Sequence, residues 1–244
     1  MDTITPSNRP PFAWSYSALS NFEKCAKKFY HISIAKDFKE TKGEALMWGD
    51  TVHAAMAKAV MHHSPLPAEM KKWEHWVKWV REPSDNVVIK VEERLGMTET
   101  MQPCEFFDKQ QFVWFRTVAD VLKINNEVAR VVDWKTGKSD VYLDQSTNTW
   151  QANSEQLDLA AAVVFAHYPN VELIKLDFVW LAEDFSTTAY LPRDGLPKMW
   201  QRLLPRLDKM KRAHATGVYE PTPSGLCIKH CSVKTCQYHG VGSR

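Results

Sequence analysis

Apolar residues recur at helical spacing in the first part of the chain and at spacing two in the middle. Over residues 15–30, Leu19, Phe22, Ala26 and Phe29 share one stripe and Ser17 is placed to cap, so the spacing predicts a helix. A second helix is predicted over 44–61, ended by the run His62-His63-Ser64-Pro65. A third is predicted over 67–81, where Trp73, Trp76, Val77 and Val80 form a stripe and Pro83 stops it. Residues 87–95 then read as a strand. Residues 113–124 and 128–134 read as the two arms of a hairpin, because Asn125-Asn126 tolerates the positive φ of a tight turn. A helix over 154–167 is predicted to be capped by Ser154. A strand over 173–181 follows, with a hairpin partner over 186–191. The last helix spans 196–214, with a kink expected at Pro205. Helices, then a strand group, then helix and strand together predict one α/β domain around a mixed sheet.

The predicted hairpin is where chemistry concentrates. Period two puts Val131, Asp133 and Lys135 on one face of the second arm. A two-residue turn at Asn125-Asn126 sets Asp120 opposite Val131, so Asp120 and Asp133 become diagonal neighbours about 7 Å apart. Two carboxylates at that distance repel, and a divalent cation resolves the repulsion. Hard oxygen ligands favour Mg²⁺ or Mn²⁺, and Lys135 can stabilise charge on a phosphate or position a water. The competing reading is a surface ion pair, since a lone D-x-K tripeptide is common.

Composition excludes some classes and leaves others open. The 244 residues are 44% hydrophobic and 25% charged, values of a soluble globular protein with a real core. No apolar run approaches the roughly 18 residues of a membrane span. The polar, Pro-containing stretch from Met1 to Pro11 does not read as a signal peptide, so a cytoplasmic location is expected. The net charge of +2 argues against a tail-driven polyanion binder, yet it is unevenly distributed. Residues 198–244 hold nine Lys/Arg and two Asp/Glu, so the first 197 residues are net acidic. Within that basic tail Lys198, Arg202, Arg206 and Lys209 line one helical face. This is either a solvated face or a track for DNA phosphates. Among Trp73, Trp76 and Trp79, two are expected in the core, and base stacking is the functional alternative.

Five cysteines without a signal sequence argue against a disulfide framework. Cys227, Cys231 and Cys236 cluster, Cys25 can join them as a fourth thiolate, and Cys104 reads as an ordinary small side chain. Four thiolates suit a [4Fe–4S] cluster or Zn²⁺ equally by ligand type, with His230 and His239 as reserve zinc ligands. Joining Cys25 to the C-terminal three would staple the two chain ends.

Several short motifs, taken in order, resemble the PD-(D/E)XK nuclease superfamily and specifically its RecB-like exonuclease branch. Ser15-Tyr16-Ser17-Ala18-Leu19-Ser20-Asn21-Phe22, with Cys25-Ala26-Lys27-Lys28-Phe29 after it, looks like that branch's opening helix. Gly49-Asp50-Thr51-Val52-His53 looks like its G-x-x-x-H helix, Val91-Glu92 like the strand bearing an active-site glutamate, and Ala119-Asp120 like the first acidic motif. Asp133-Trp134-Lys135-Thr136-Gly137-Lys138 resembles the D-Y-K-T-G-K signature, and Gln156-Leu157-Asp158-Leu159-Ala160 the Q-x-x-x-Y helix, with Ala160 replacing Tyr. The C-terminal cysteines resemble those of AddB-type and CRISPR-associated nucleases, but their spacing is C-x3-C-x4-C where C-x2-C-x5-C is commoner.

The resemblance implies a restriction-endonuclease-like α/β core with a central mixed β-sheet flanked by helices. It implies one nuclease domain over 1–244, with a helical insertion at 62–83, a Cys-rich segment at 215–244, and chain ends joined by a cysteine-ligated cluster. The catalytic set it implies is Lys135, Asp133, Asp120, Glu92 and Gln156. The metal ligands it implies are His53, Asp120, Asp133 and the backbone carbonyl of Trp134. The cofactors are Mg²⁺ or Mn²⁺ and a [4Fe–4S] cluster, with Zn²⁺ as the alternative, on Cys25, Cys227, Cys231 and Cys236. The expected partners are DNA, single-stranded or with free ends, and recombination or replication proteins of a phage or mobile element; no membrane is expected. The rival functions are a non-catalytic DNA-binding module that keeps the fold, and a zinc-stapled protein of another class.

Overall fold

The period-two stretches form a six-stranded mixed sheet of spatial order β2-β1-β3-β4-β7-β8. Its strands are β1 (Val88–Met97), β2 (Pro103–Cys104), β3 (Phe115–Asn125), β4 (Val128–Lys135), β7 (Leu173–Trp180) and β8 (Phe185–Pro192). The structure is a computed structural model that describes residues 13–40, 43–146 and 148–242, so the stretch from Met1 to Pro11 lies outside the described residues. All pairings are antiparallel except β4 with β7. That one parallel pair is joined by a crossover through helix α5 (Glu155–His167), as parallel neighbours require. β4 is one of the two central strands, and Ala129, Val131, Val132 and Trp134 are all buried there, which marks a strand covered on both faces.

Helices α3 (Glu44–His62) and α4 (Glu74–Arg81) supply one cover. Val52, Met56 and Val60 from α3, and Val77 and Val80 from α4, pack in one core with Val121, Val132, Trp134 and Val179 of the sheet. Each fully buried aliphatic side chain contributes about 1.5–3 kcal/mol. Leu122, Val131 and Leu176, of the opposite strand parity, are equally buried and meet α5, which is apolar along nearly its whole length. Arg193 ties the far end down, donating to the carbonyl of Phe165 in the last turn of α5 and to those of Tyr168 and Val171 beyond it. The two-layered cover of a mixed sheet is the fold expected from the sequence.

The chain divides into two compact units, Lys42–Met199 and a second made of Met1–Thr41 with Trp200–Arg244. The second contains α1 (Tyr16–Lys24), α2 (Ala26–Phe29) running into a π-helical turn Tyr30–Ala35, most of α6 (Leu196–Thr216), and α7 (Leu226–Lys229). Here the single predicted first helix is corrected to two. Cys25 is extended (φ −167°, ψ 106°), and the Lys27 N–H leaves the helical ladder to donate to the Glu220 carbonyl at 3.2 Å. Tyr219, packed against Phe22 and Tyr30, holds that segment in place. Ser15, not Ser17, caps α1, accepting from the Ala18 N–H.

Two further corrections concern the larger unit. The hairpin turn is Asn126-Glu127, with Asn126 at φ 46°, so Asn125 pairs with Val128 and the register moves by two residues from the expected one. At α5, Ser154 makes no side-chain cap; Asn153 Oδ1 accepts from the Glu155 N–H instead. A small two-stranded ribbon, β5 (Val141–Asp144) with β6 (Thr149–Ala152), was not expected.

Candidate active site

Two interruptions of regular structure and the close approach of one helix build the site. The first is in β1. Its pairing with β3 runs through Val91↔Val121 and resumes at Glu93↔Ala119, but Glu92 itself has φ 51° and drops out of the ladder. A non-glycine residue held there stores of order 1–3 kcal/mol of strain, which the surrounding strands must over-determine.

The second interruption is in the hairpin. The observed register places Asp120 and Asp133 at opposite positions, yet regular pairing stops at Val121↔Val132. The Asp120 carboxylate takes over as acceptor, its Oδ2 receiving the Trp134 N–H at 2.8 Å. The shift by two keeps every side chain on its expected face while turning a diagonal pair of carboxylates into a facing one.

The approaching helix is α3. Gly49 passes close to the end of β4, so that a Cβ there would lie 3.4 Å from Thr136 Oγ1. His53 stands one helical turn further on, and its Nδ1 reaches Asp120 Oδ1 at 3.2 Å. One atom each from His53, Glu92 and Asp120 lies within 4.8 Å of the others. One imidazole and two carboxylates are a donor set that suits a hard divalent cation such as Mg²⁺ or Mn²⁺.

Asp133 and Lys135 form a second group beside the first. Lys135 Nζ lies 2.8 Å from Asp133 Oδ2 and donates to Gln156 Oε1 at 2.8 Å, while Gln156 Nε2 donates to Asp133 Oδ1 at 2.7 Å. The Lys135 ammonium also sits 4.8 Å from the ring centre of Phe178. Asp133 is only 13% exposed, and its Oδ2, although ion-paired, has no well-formed hydrogen bond. A buried acceptor left in that condition beside two further carboxylates fits a site built around a cation.

The electrostatics agree with the geometry. Burial, and secondarily the Asp120 charge, push the Asp133 carboxyl up to about 6. Partial burial of its carboxyl, and the Asp120 charge, likewise raise Glu92, although the residue as a whole is exposed. The hydrogen bond to Asp120, reinforced by the charges of Asp120, Asp133 and Glu92, pushes His53 up to about 9 against the opposing effect of burial. Shifts in these directions mark negative charge crowded into a poorly hydrated place.

The structure thus brings together His53, Glu92, Asp120, Asp133, Lys135 and Gln156. Gln156 has both ends of its amide engaged by Asp133 and Lys135 rather than turned outward. Of the tryptophans, Trp73 is buried and donates to the Leu181 carbonyl. Trp76 and Trp79 are half-buried against the same core, one donating to Asp184 and the other beneath Arg130. On α6, Lys198, Arg202 and Lys209 are exposed, whereas Arg206 is committed to a two-pronged ion pair with Glu23 at 2.6 and 2.7 Å.

Cys25, Cys227, Cys231 and Cys236 are free thiols in the second unit and line one shared crevice. Cys25, Cys227, Cys231 and His230 also border an adjoining cavity of about 320 Å³. The Thr222 N–H points at Cys25 Sγ (3.5 Å) and the Ser224 N–H at Cys227 Sγ (3.4 Å). Cys104 is buried in β2, and that burial raises its thiol pKa. No helix is long and apolar enough to cross a membrane, among the described residues.

No curated protein sequence matches this chain. Among solved structures, one described as a candidate exonuclease from Eubacterium rectale superimposes with a TM-score of 0.53 at 10% identity, covering 91% of this chain and 85% of the other. A second, SSO0001, gives a TM-score of 0.46 at 13% identity over 97% of this chain and 90% of that one, too distant to add to the argument. At such identities the first likeness speaks for the fold alone. The sequence profile of a nuclease superfamily matches residues 13–237, which includes every residue of the site just described. The chain belongs to the PD-(D/E)XK nuclease superfamily.

Proposed function

We propose that this nuclease is a divalent-metal-dependent DNA exonuclease of the RecB-like branch. The observation that carries the reading is the meeting of His53, Glu92 and Asp120 with the Asp133–Lys135–Gln156 ring at the broken end of the β3–β4 ladder. Mg²⁺ or Mn²⁺ would be held by Asp120 with His53, Glu92, Asp133 and the Trp134 carbonyl as its available partners. When bound, such an ion polarises a phosphodiester and lowers the pKa of a bound water. The chain's own residues do the rest. Lys135 holds a fixed positive charge where the attacked phosphate develops negative charge. Asp133, ion-paired with Lys135, would present a carboxylate to the ion. Lys135 positions the attacking water, whose oxygen forms the new P–O bond as the bond to the leaving oxygen breaks, the water's proton passing to solvent and the leaving oxygen taking one up. Gln156 keeps both groups in one orientation.

The whole chain is read as one nuclease domain, with the helical insertion at 62–83 and the Cys-rich segment at 215–244. The four cysteines are assigned to a structural [4Fe–4S] cluster. The resemblance to cluster-bearing nucleases supports this choice over zinc, since four thiolates suit either centre by ligand type, and the backbone N–H groups aimed at two of the sulfurs suit thiolates. Action on free DNA ends in the cytoplasm (the host's, for a phage enzyme), beside recombination or replication proteins, completes the proposal. In a digestion of labelled linear DNA with Mn²⁺, Asp133→Ala and Lys135→Ala should each lower the rate at least about 10³-fold with the circular dichroism spectrum unchanged. A folded Asp133→Ala protein that cuts at the wild-type rate would exclude this site.

A further inference from the structure

Beyond Glu92 the alternation of β1 separates two faces. Leu95 and Met97 are buried, whereas Glu92 and Arg94 are exposed. β3 continues the same face. Val118, 42% exposed, stands across from Arg94, and Arg116 stands across from Gly96. Arg94 is two residues, about 7 Å of strand, beyond Glu92, and its charge acts on the Glu92 carboxyl. The line of positions that holds the metal-binding carboxylates therefore continues as a line of guanidinium groups.

Neither arginine makes an ion pair among the described residues. Each lies instead against aromatic rings, with Arg94 5.8 Å from the centre of Phe106, and Arg116 5.5 Å from Phe106 and 5.2 Å from Phe107. Arg116 Nε is buried without a hydrogen-bond partner. Asp108, in the same loop as the two phenylalanines, directs its carboxylate to the N–H groups of Gln110 and Gln111 instead. Phe107 is 64% exposed, an unusual position for so large an apolar ring. Gly96 makes the arrangement feasible, since a Cβ there would lie 2.8 Å from the Glu105 carbonyl and 3.0 Å from that of Cys104. The missing side chain lets the loop fold down over Arg116.

We propose that this face of β1 and β3 is a track for a single DNA strand leading to the metal-binding carboxylates, with Arg94 and Arg116 receiving backbone phosphates and Phe107 stacking a base. The proposal rests on the nuclease reading and adds where the strand lies. Charge complementarity selects a polyanion, continuity with Glu92 and Asp120 selects the strand being cut, and an exposed ring beside two arginines suits unpaired bases.

The test is fluorescence anisotropy of a labelled single-stranded oligonucleotide with the full chain in chelator, so that nothing is cut, over a range of salt. Loss of two phosphate contacts in the double variant Arg94→Gln/Arg116→Gln should flatten the plot of log K against log salt by about 1.4, at about 0.7 per contact. Val118→Lys, which adds a cation to an already exposed position, should steepen it by about 0.7. Phe107→Ala should weaken binding about ten-fold and leave the slope unchanged. Wild-type slopes in the double variant and in Val118→Lys, in a protein that cuts DNA when given Mn²⁺, would overturn the track alone. A wild-type chain that neither binds nor cuts DNA would overturn the nuclease reading with it.

Discussion

Gln156 shows why a site residue's type is easier to read than its task. Its place in the Q-x-x-x-Y helix puts it in the implied catalytic set with no task attached. In the structure the amide closes a ring with Asp133 and Lys135, donating to one and accepting from the other. Gln156→Ala should therefore lower kcat about 10–100-fold, the usual effect of removing such a support, while DNA affinity changes little. A matching loss of affinity would place the amide on DNA instead. His53 offers a test that needs no substrate. In chelator its pKa is held at about 9, against 6.5 for the free side chain. A raised pKa gives stabilisation that is complete below the unfolded value and fades as pH rises through the folded one. The melting temperature should thus fall between pH 6.5 and about 9, and His53→Gln should flatten that fall. The side chain is a third exposed, so solvent screens the pair and the effect is modest. An unchanged slope in the variant would contradict the His53–Asp120 pairing.

At the scale of elements, the hairpin that carries Asp120 and Asp133 was legible because period-two apolar residues flank an Asn-rich turn. Its register was not. Asn125-Asn126 and Asn126-Glu127 both accept a positive φ at the first position, and nothing local chooses between them. The two-residue difference preserved the faces, so the chemistry survived an error in the pairing. The break at Cys25 and the kink at Glu92 were illegible for a different reason. Both lie inside unbroken periodic patterns and are imposed by distant partners: the Glu220 carbonyl for the first, the β3 strand for the second. The β5–β6 ribbon escaped notice because its large side chains, Tyr142, Leu143 and Trp150, are exposed and carry no burial pattern. The kink has a measurable signature. Glu92→Gly relieves a left-handed backbone while removing a carboxylate, so it should raise stability in chelator by about 1 kcal/mol and weaken Mn²⁺ binding. Denaturant unfolding and metal titration measure the two effects, and a loss of stability in chelator would remove strain from the explanation.

At the scale of the molecule, the near-neutral charge conceals a division of labour. The acidic part of the chain supplies the metal-site carboxylates, and the basic tail supplies α6 and the cysteine-rich segment. Spacing made the group Cys227, Cys231 and Cys236 legible, while the joining of Cys25 to them is part of the proposal. Anaerobically purified protein should be brown and hold about four irons per chain, with Cys227→Ser losing both iron and thermal stability. Colourless protein with one zinc would replace the cluster by a zinc staple without touching the hydrolytic site. The motif order made the superfamily legible in advance, and the fold and sequence profile bear it out. The α6 stripe was the weakest inference, because periodicity shows that a face is cationic but not which arginine already has a partner; Arg206 has Glu23.

The central claim is that this site hydrolyses DNA from its ends with a divalent cation. The measurement that addresses it most directly supplies the purified chain with end-labelled linear DNA, single- and double-stranded, and with a covalently closed circle, with and without Mn²⁺. The account predicts that label is released from linear DNA only when Mn²⁺ is present, that the circle persists, and that Asp133→Ala abolishes release. No release under any of these conditions, or release that Asp133→Ala leaves intact, would contradict it.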